Sequence, residues 1–233
     1  MKKIIIALLI GSNLLALNIV SAQKKGKSFT GNITFSIKYE GNIDPQKINQ
    51  MPTKKINSVF ENNVRESIPG QPTYDLTLGD SCKQIILVDY PGYQFAIVRD
   101  RTSITENREN VNFSYTKTGN TKNICGFVCN EINCTIISTD EDGETEEEHI
   151  LFYTTTEIGT SNAINEIYRP GLEGFPLYVE MTSAQGIKTI VEATEVKKAK
   201  VSIVDFMIPT SYKVLTWAEY IELMQQQQDE DDF

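Results

Sequence analysis

Phe29-Thr30-Gly31-Asn32-Ile33-Thr34-Phe35-Ser36-Ile37-Lys38-Tyr39-Glu40 sets apolar Ile33, Phe35, Ile37 and Tyr39 at every second position, with polar residues between them. A period of two puts those four side chains on one side of an extended chain, so the stretch reads as a half-buried strand. A strand needs partners, and the chain after Pro69-Gly70 supplies them. Residues 74–78, 83–89, 94–100 and 112–118 read as strands, punctuated by turn signals at Gly79-Asp80, Pro91-Gly92 and Gly119-Asn120. Residues 127–138 and 149–155 form a further pair across Asp142-Gly143, a dipeptide suited to a hairpin turn. Residues 175–181, 188–196 and 200–206 complete the set. The expected class is α+β, mainly β, with one curved antiparallel sheet covered by an early helix and a short C-terminal helix.

The early helix is expected over residues 44–66, where Ile48, Met51, Ile56, Val59, Phe60 and Val64 fall near helical spacing behind Asp44-Pro45 as cap and first turn. Pro52 must kink it or start it afresh. At the other end Thr216 has the position of an N-cap, with Glu219 in the capping-box position, before a final helix. The glutamines and acids of residues 225–233 read as a disordered acidic tail.

Upstream of the first strand the sequence has the layout of a cleavable export signal over residues 1–22. Lys2 and Lys3 precede an apolar run from Ile4 to Ile10 and a second at Leu14–Leu17, ending in Val20-Ser21-Ala22. Gly11-Ser12-Asn13 and Asn18 interrupt the run, and spanning a bilayer takes roughly 20 largely apolar residues. No later stretch is long and apolar enough to be a transmembrane segment. The expectation is therefore a single β-rich domain over residues 23–224 that works in the periplasm or outside the cell. The formal net charge is −9. That balance argues against nucleic acid and against anionic membrane surfaces, both of which are held by Lys and Arg.

Cys82, Cys125, Cys129 and Cys134 are an even set in a chain expected to be exported, so they are the disulfide candidates. Four cysteines allow three pairings, and joining Cys125 to Cys129 requires a turn at Gly126. His149 is the one histidine, which argues against His-based triads and multi-histidine metal sites. The acidic run around Gly143 does not fit a calcium loop: with Gly143 at position 6, His149 takes position 12, where a bidentate Glu is required. It reads instead as a solvated hairpin tip. No Gly-rich phosphate loop and no Gly-x-Ser-x-Gly occurs, so no catalytic residue, cofactor or metal is assigned. Paired carboxylates brought together by folding stay open.

The segment from Pro170 to Leu177 has two glycines and two prolines leading into a strand. It reads as a shaped loop, with Gly171, Leu172, Gly174, Phe175 and Pro176 as candidates for a pocket rim. With residues 152–158, residues 206–212 and Gly126-Phe127-Val128-Cys129, this segment resembles exported bacterial proteins of the GLPGLI type and a related family known as a domain of unknown function. Glu173 and Phe175 depart from the first family's motif. The resemblance implies a LolA-like fold, the fold of periplasmic lipoprotein carriers, in which a curved antiparallel sheet wraps a helix around an apolar cavity. It implies no catalytic residue.

The function expected from these readings is a non-enzymatic cell-envelope protein that binds a lipid, an acyl chain or another apolar ligand between the sheet and the helix of residues 44–66. The alternatives are an envelope interaction or assembly protein that holds a protein partner and no small ligand, and an enzyme. The last requires a cleft with a perturbed carboxylate or a metal.

Overall fold

Ile33 and Phe35, the apolar residues of the first strand, sit at 0% and 3% exposure at the centre of one open, curved sheet of twelve strands. The computed structural model describes residues 29–231 apart from 107, 141, 159 and 160, so the expected export signal at residues 1–22 lies outside the described residues. Strand β1 (Gly31–Glu40) pairs antiparallel with β2 (Lys54–Phe60) on one side and with β11 (Lys188–Lys198) on the other. Two runs of sequential hairpins extend from it. One is β2, β3 (Asn63–Ser67), β4 (Thr73–Leu78), β5 (Lys83–Tyr90) and β6 (Tyr93–Arg99). The other is β7 (Val111–Ile124), β8 (Phe127–Thr139), β9 (Thr145–Thr155), β10 (Phe175–Thr182) and β11. A short strand β12 (Lys213–Thr216) adds parallel to β6, so the sheet is antiparallel except at that edge.

The early helix shrinks to a single turn, α1 (Pro45–Ile48), and residues 54–67 form the β2–β3 hairpin. The apparent helical spacing has a plain cause. Val59 and Val64 are cross-strand partners on the inner face, whereas Phe60 stacks on Phe206 at the outer face, with ring centroids 6.3 Å apart. Two strands that bury apolar residues on both faces lose the clean alternation by which a strand is recognised.

The outer face of β3 to β6 is covered by residues 199–212. The strand expected at 200–206 is a 3-10 turn (Ile203–Phe206), held by Asp205, whose carboxylate accepts from Ser202 N at 2.8 Å and Ser202 Oγ at 3.2 Å. Phe206 fills the space over Leu76, Ile85, Leu87 and Ala96.

The inner face is covered by α3 (Ser161–Tyr168), an element without a sequence expectation. It touches both β4 and β10, which are five strand steps apart in the sheet. At roughly 4.8 Å per step those strands would lie about 24 Å apart if flat, more than twice a helix diameter, so the sheet must curl around the helix. Asn165, 5% exposed, anchors α3: its Nδ2 donates to Leu172 O at 2.7 Å and to Gly174 O at 2.8 Å. Ile164 packs into the core of Ile33, Phe35 and Leu177, and Ile167 packs with Cys82 and with Ile104 of α2 (Arg101–Glu106). Gly174 must be glycine, because φ is +80° and a Cβ would lie 3.0 Å from Thr154 Oγ1.

The terminal helix α4 (Trp217–Asp231) begins with the expected capping box: Thr216 Oγ1 accepts from Glu219 N at 3.2 Å, and Glu219 Oε2 accepts from Thr216 N at 2.7 Å. It runs on through the glutamines to Asp231, so the helix passes the boundary at 224 where a disordered tail was expected. Among the described residues no helix is long and apolar enough to cross a membrane.

All four cysteines are free thiols, in place of the expected disulfides. Cys129 and Cys134 lie five residues apart on β8 and therefore on opposite faces, in separate buried clusters. Cys82 belongs to a third cluster, beside α2 and α3. Cys125 occupies the exposed β7–β8 turn with Gly126, at φ of 52° and 88°, and its Sγ donates to Ala193 O at 3.3 Å. Strand β7 runs through Gly119-Asn120, which is an irregularity in the ladder instead of the expected turn.

Two outcomes follow. Asn165→Ala leaves two buried carbonyls without a donor and should cost about 2–4 kcal/mol in urea unfolding. In native protein a thiol reagent should titrate Cys125 and spare Cys82, Cys129 and Cys134 until denaturant is added; fewer than four thiols after denaturation would mean a disulfide.

Candidate functional site

Between α3 and the inner face lies a cavity of about 260 Å³ with two unlike walls. One is apolar: Phe35 of β1, Val179 and Met181 of β10 and Val191 of β11, with Ile164 from α3. The other is polar: Lys55 and Asn57 of β2, Glu66 of β3, Asp75 and Thr77 of β4 and Gln84 of β5. Register explains the polar wall. Asn57 is directly opposite Glu66, and Glu66 is directly opposite Asp75, so the three form one row across neighbouring strands.

The paired carboxylates that the sequence left open therefore meet here. Like charges directly opposite one another are destabilising in a sheet. Glu66 is compensated, since Lys55 Nζ lies 2.8 Å from its Oε2, with both side chains half-buried. The Lys55 ammonium also lies 5.3 Å from the centre of the Phe35 ring. Asp75 makes no ion pair among the described residues. Its Oδ1 accepts from Gln84 Nε2 at 3.4 Å, and Gln84 is held in turn by Arg99, whose Nη1 donates to Gln84 Oε1 at 3.1 Å. Burial, then the Glu66 charge, push the Asp75 carboxyl above its usual range, against the opposing pull of Gln84 and Lys55. Asn57 is 7% exposed, and its Oδ1 has no hydrogen-bond partner among the described residues.

The helix end contributes Tyr168 and Arg169 to the lining. Tyr168 and Thr77 share a hydroxyl hydrogen bond of 2.7 Å, and burial pushes the phenol up to about 12. The Arg169 guanidinium centre lies 5.1 Å from the Phe152 ring on β9, and its charge interacts with that of Glu66. Arg108 Nη1 donates to Glu166 O at 2.9 Å and holds α3 from outside.

Of the candidate rim residues, Phe175 and Pro176 line this cavity. Leu172 is instead packed into the cluster of Ile132 and Phe152, and Gly171 and Gly174 supply backbone geometry at φ of +89° and +80°. His149 is exposed on β9, its Nδ1 3.3 Å from Thr135 Oγ1 and its Nε2 3.5 Å from Glu147 Oε1, away from the cavity. Among the described residues no cluster of His, Cys, Asp or Glu could hold a metal ion. Lys55, Asn57 and Glu66 were not singled out from the sequence, because polar residues inside a presumed helix carry no signal of facing inward together, and Asp75 read only as a polar residue of the strand expected at 74–78. The sequence matches no family model and no curated protein.

A carboxyl raised in the folded state binds more protons folded than unfolded. It favours the fold below about pH 4, the ordinary aspartate value, and opposes it as pH rises through the folded pKa. Asp75→Asn removes that charge and keeps an acceptor for Gln84. It should raise the thermal midpoint at pH 7, with the gain shrinking toward pH 3; an unchanged or lower midpoint at pH 7 would contradict the environment described.

Proposed function

We propose that the protein is an exported, non-catalytic cell-envelope protein that holds one small amphipathic ligand between the concave sheet and α3. The observation that carries this reading is the two-walled cavity. Its apolar side offers hydrocarbon contact worth roughly 25 cal/mol per Å² buried, while its polar side fixes orientation. The size narrows the ligand. At about 260 Å³ the cavity lies just below the roughly 300–1,000 Å³ of sites for drug-sized ligands, a size that suits a short chain or a single segment of a lipid. A curved sheet with a helix on its concave face supports the LolA-like resemblance, with α3 taking the place expected of residues 44–66.

A second reading, an envelope assembly protein without a small ligand, is favoured by the outer surface. Val204 and Met207 are 68% and 60% exposed beside the buried Phe206. Strand β7, fourteen residues long, is a sheet edge whose outer ladder has no partner strand among the described residues.

The full chain should be made with its own N-terminus in a Gram-negative periplasm, purified without detergent, and compared by native and denaturing mass spectrometry. A denatured mass starting at Gln23, with added mass in the native spectrum that denaturation releases, is the expected result. A ligand-free native mass, together with no uptake of added hexan-1-ol or hexylamine, would overturn the small-ligand reading and favour assembly.

A further inference from the structure

The polar wall of the cavity is unbalanced in a definite direction. Its main donor is committed, because Lys55 is spent on Glu66. Thr77 and Tyr168 share one hydrogen bond, which leaves a single hydroxyl proton over between them, and the Gln84 amide is engaged by Asp75 and Arg99. What is left over is mainly acceptor capacity. Among the described residues the Asp75 carboxylate has one long hydrogen bond and no ion pair, and the Oδ1 of Asn57, a residue more than nine-tenths buried, has no hydrogen-bond partner. These two flank Glu66 in the same cross-strand row. The other cation at the cavity, Arg169, lies over Phe152, and its charge acts on Glu66 but not on Asp75, so Asp75 stays uncompensated.

Burying acceptors without donors is costly unless something supplies the donors. An isolated anion would meet Asp75 and Glu66 with repulsion, and a purely apolar ligand would leave Asn57 and Asp75 as they are. Resting on the small-ligand reading above, we infer that the cavity selects an organic ammonium: a primary amine whose N–H groups face the row of Asn57, Glu66 and Asp75, with its short hydrocarbon tail along Phe35, Val179 and Met181. The modest volume of the cavity, about 260 Å³, suits a short tail.

Three probes of equal length separate the possibilities: hexylamine, hexan-1-ol and hexanoate, titrated calorimetrically into the full chain at pH 7. Hexylamine should bind about tenfold or more tighter than hexan-1-ol, the ratio expected for a charge-assisted hydrogen bond, and hexanoate should bind weakest. Asp75→Asn should remove the preference for the amine while leaving hexan-1-ol binding within about twofold, and Asn57→Leu should weaken hexylamine more than hexan-1-ol. Hexan-1-ol or hexanoate binding as well as hexylamine would overturn the ammonium assignment and leave the cavity as a binding site. Failure of all three probes to bind would overturn the small-ligand reading itself and this assignment with it. The comparison of probes on the unaltered protein stands even if a variant does not fold.

Discussion

Everything in this sheet hangs on the double pairing of β1. Each of the two hairpin series, β2 to β6 and β7 to β11, is built from contacts between neighbours in sequence, but in the hydrogen-bonded sheet of the described residues they are joined only where β1 takes β2 on one edge and β11 on the other. The β1–β11 contact closes a loop of about 150 residues in the chain. Such closure carries a large ordering cost that only burial at the seam can offset. Ile33 and Phe35 provide that burial, together with Val59 from one side and Ala193 from the other. Strand β1 is thus both the hydrogen-bonding bridge and the centre of the principal core.

The curl of the sheet and the position of α3 are two aspects of one constraint. A helix of eight residues cannot touch both β4 and β10 unless the five strand steps between them bend around it. Asn165, in the middle of the helix, ties it to the loop that enters β10, while Tyr168 ties its C-terminal end to β4. With the helix held at these two points, the space beneath it is set by the side chains of the sheet. The cavity persists because the row of Asn57, Glu66 and Asp75 cannot collapse onto the apolar wall without burying its charges further. An opposed pair of carboxylates and an orphan amide oxygen lower the stability of the empty protein, and such local costs are typical of sites shaped for something other than folding. The same residues give the cavity its chemical direction, toward donors and positive charge.

The sequence by itself determined most of the strands, though not β2, β3 or β12. Period-two alternation located β1, and turn dipeptides located most of the hairpins that follow, because those signals are local and each is read within ten residues. The capping box at Thr216 and Glu219 was legible for the same reason. Where a strand is covered on both faces, local pattern misleads. Residues 54–67 mimic a helix because Phe60 serves the outer cluster while Val59 and Val64 serve the inner one. Residues 200–206 mimic a strand because Phe206 is buried, although the chain there turns across the sheet instead of joining it. Tertiary structure alone decided which helix covers the inner face, since the two turns of α3 are too few for a periodic signal and are held by Asn165, Tyr168 and Arg108 acting at a distance. It alone also decided the site: Asn57, Glu66 and Asp75 are nine residues apart each in the chain and become neighbours only through the register of three strands. Cross-strand register depends on turn lengths and on which face finds a core, and neither is a property of any short stretch of residues.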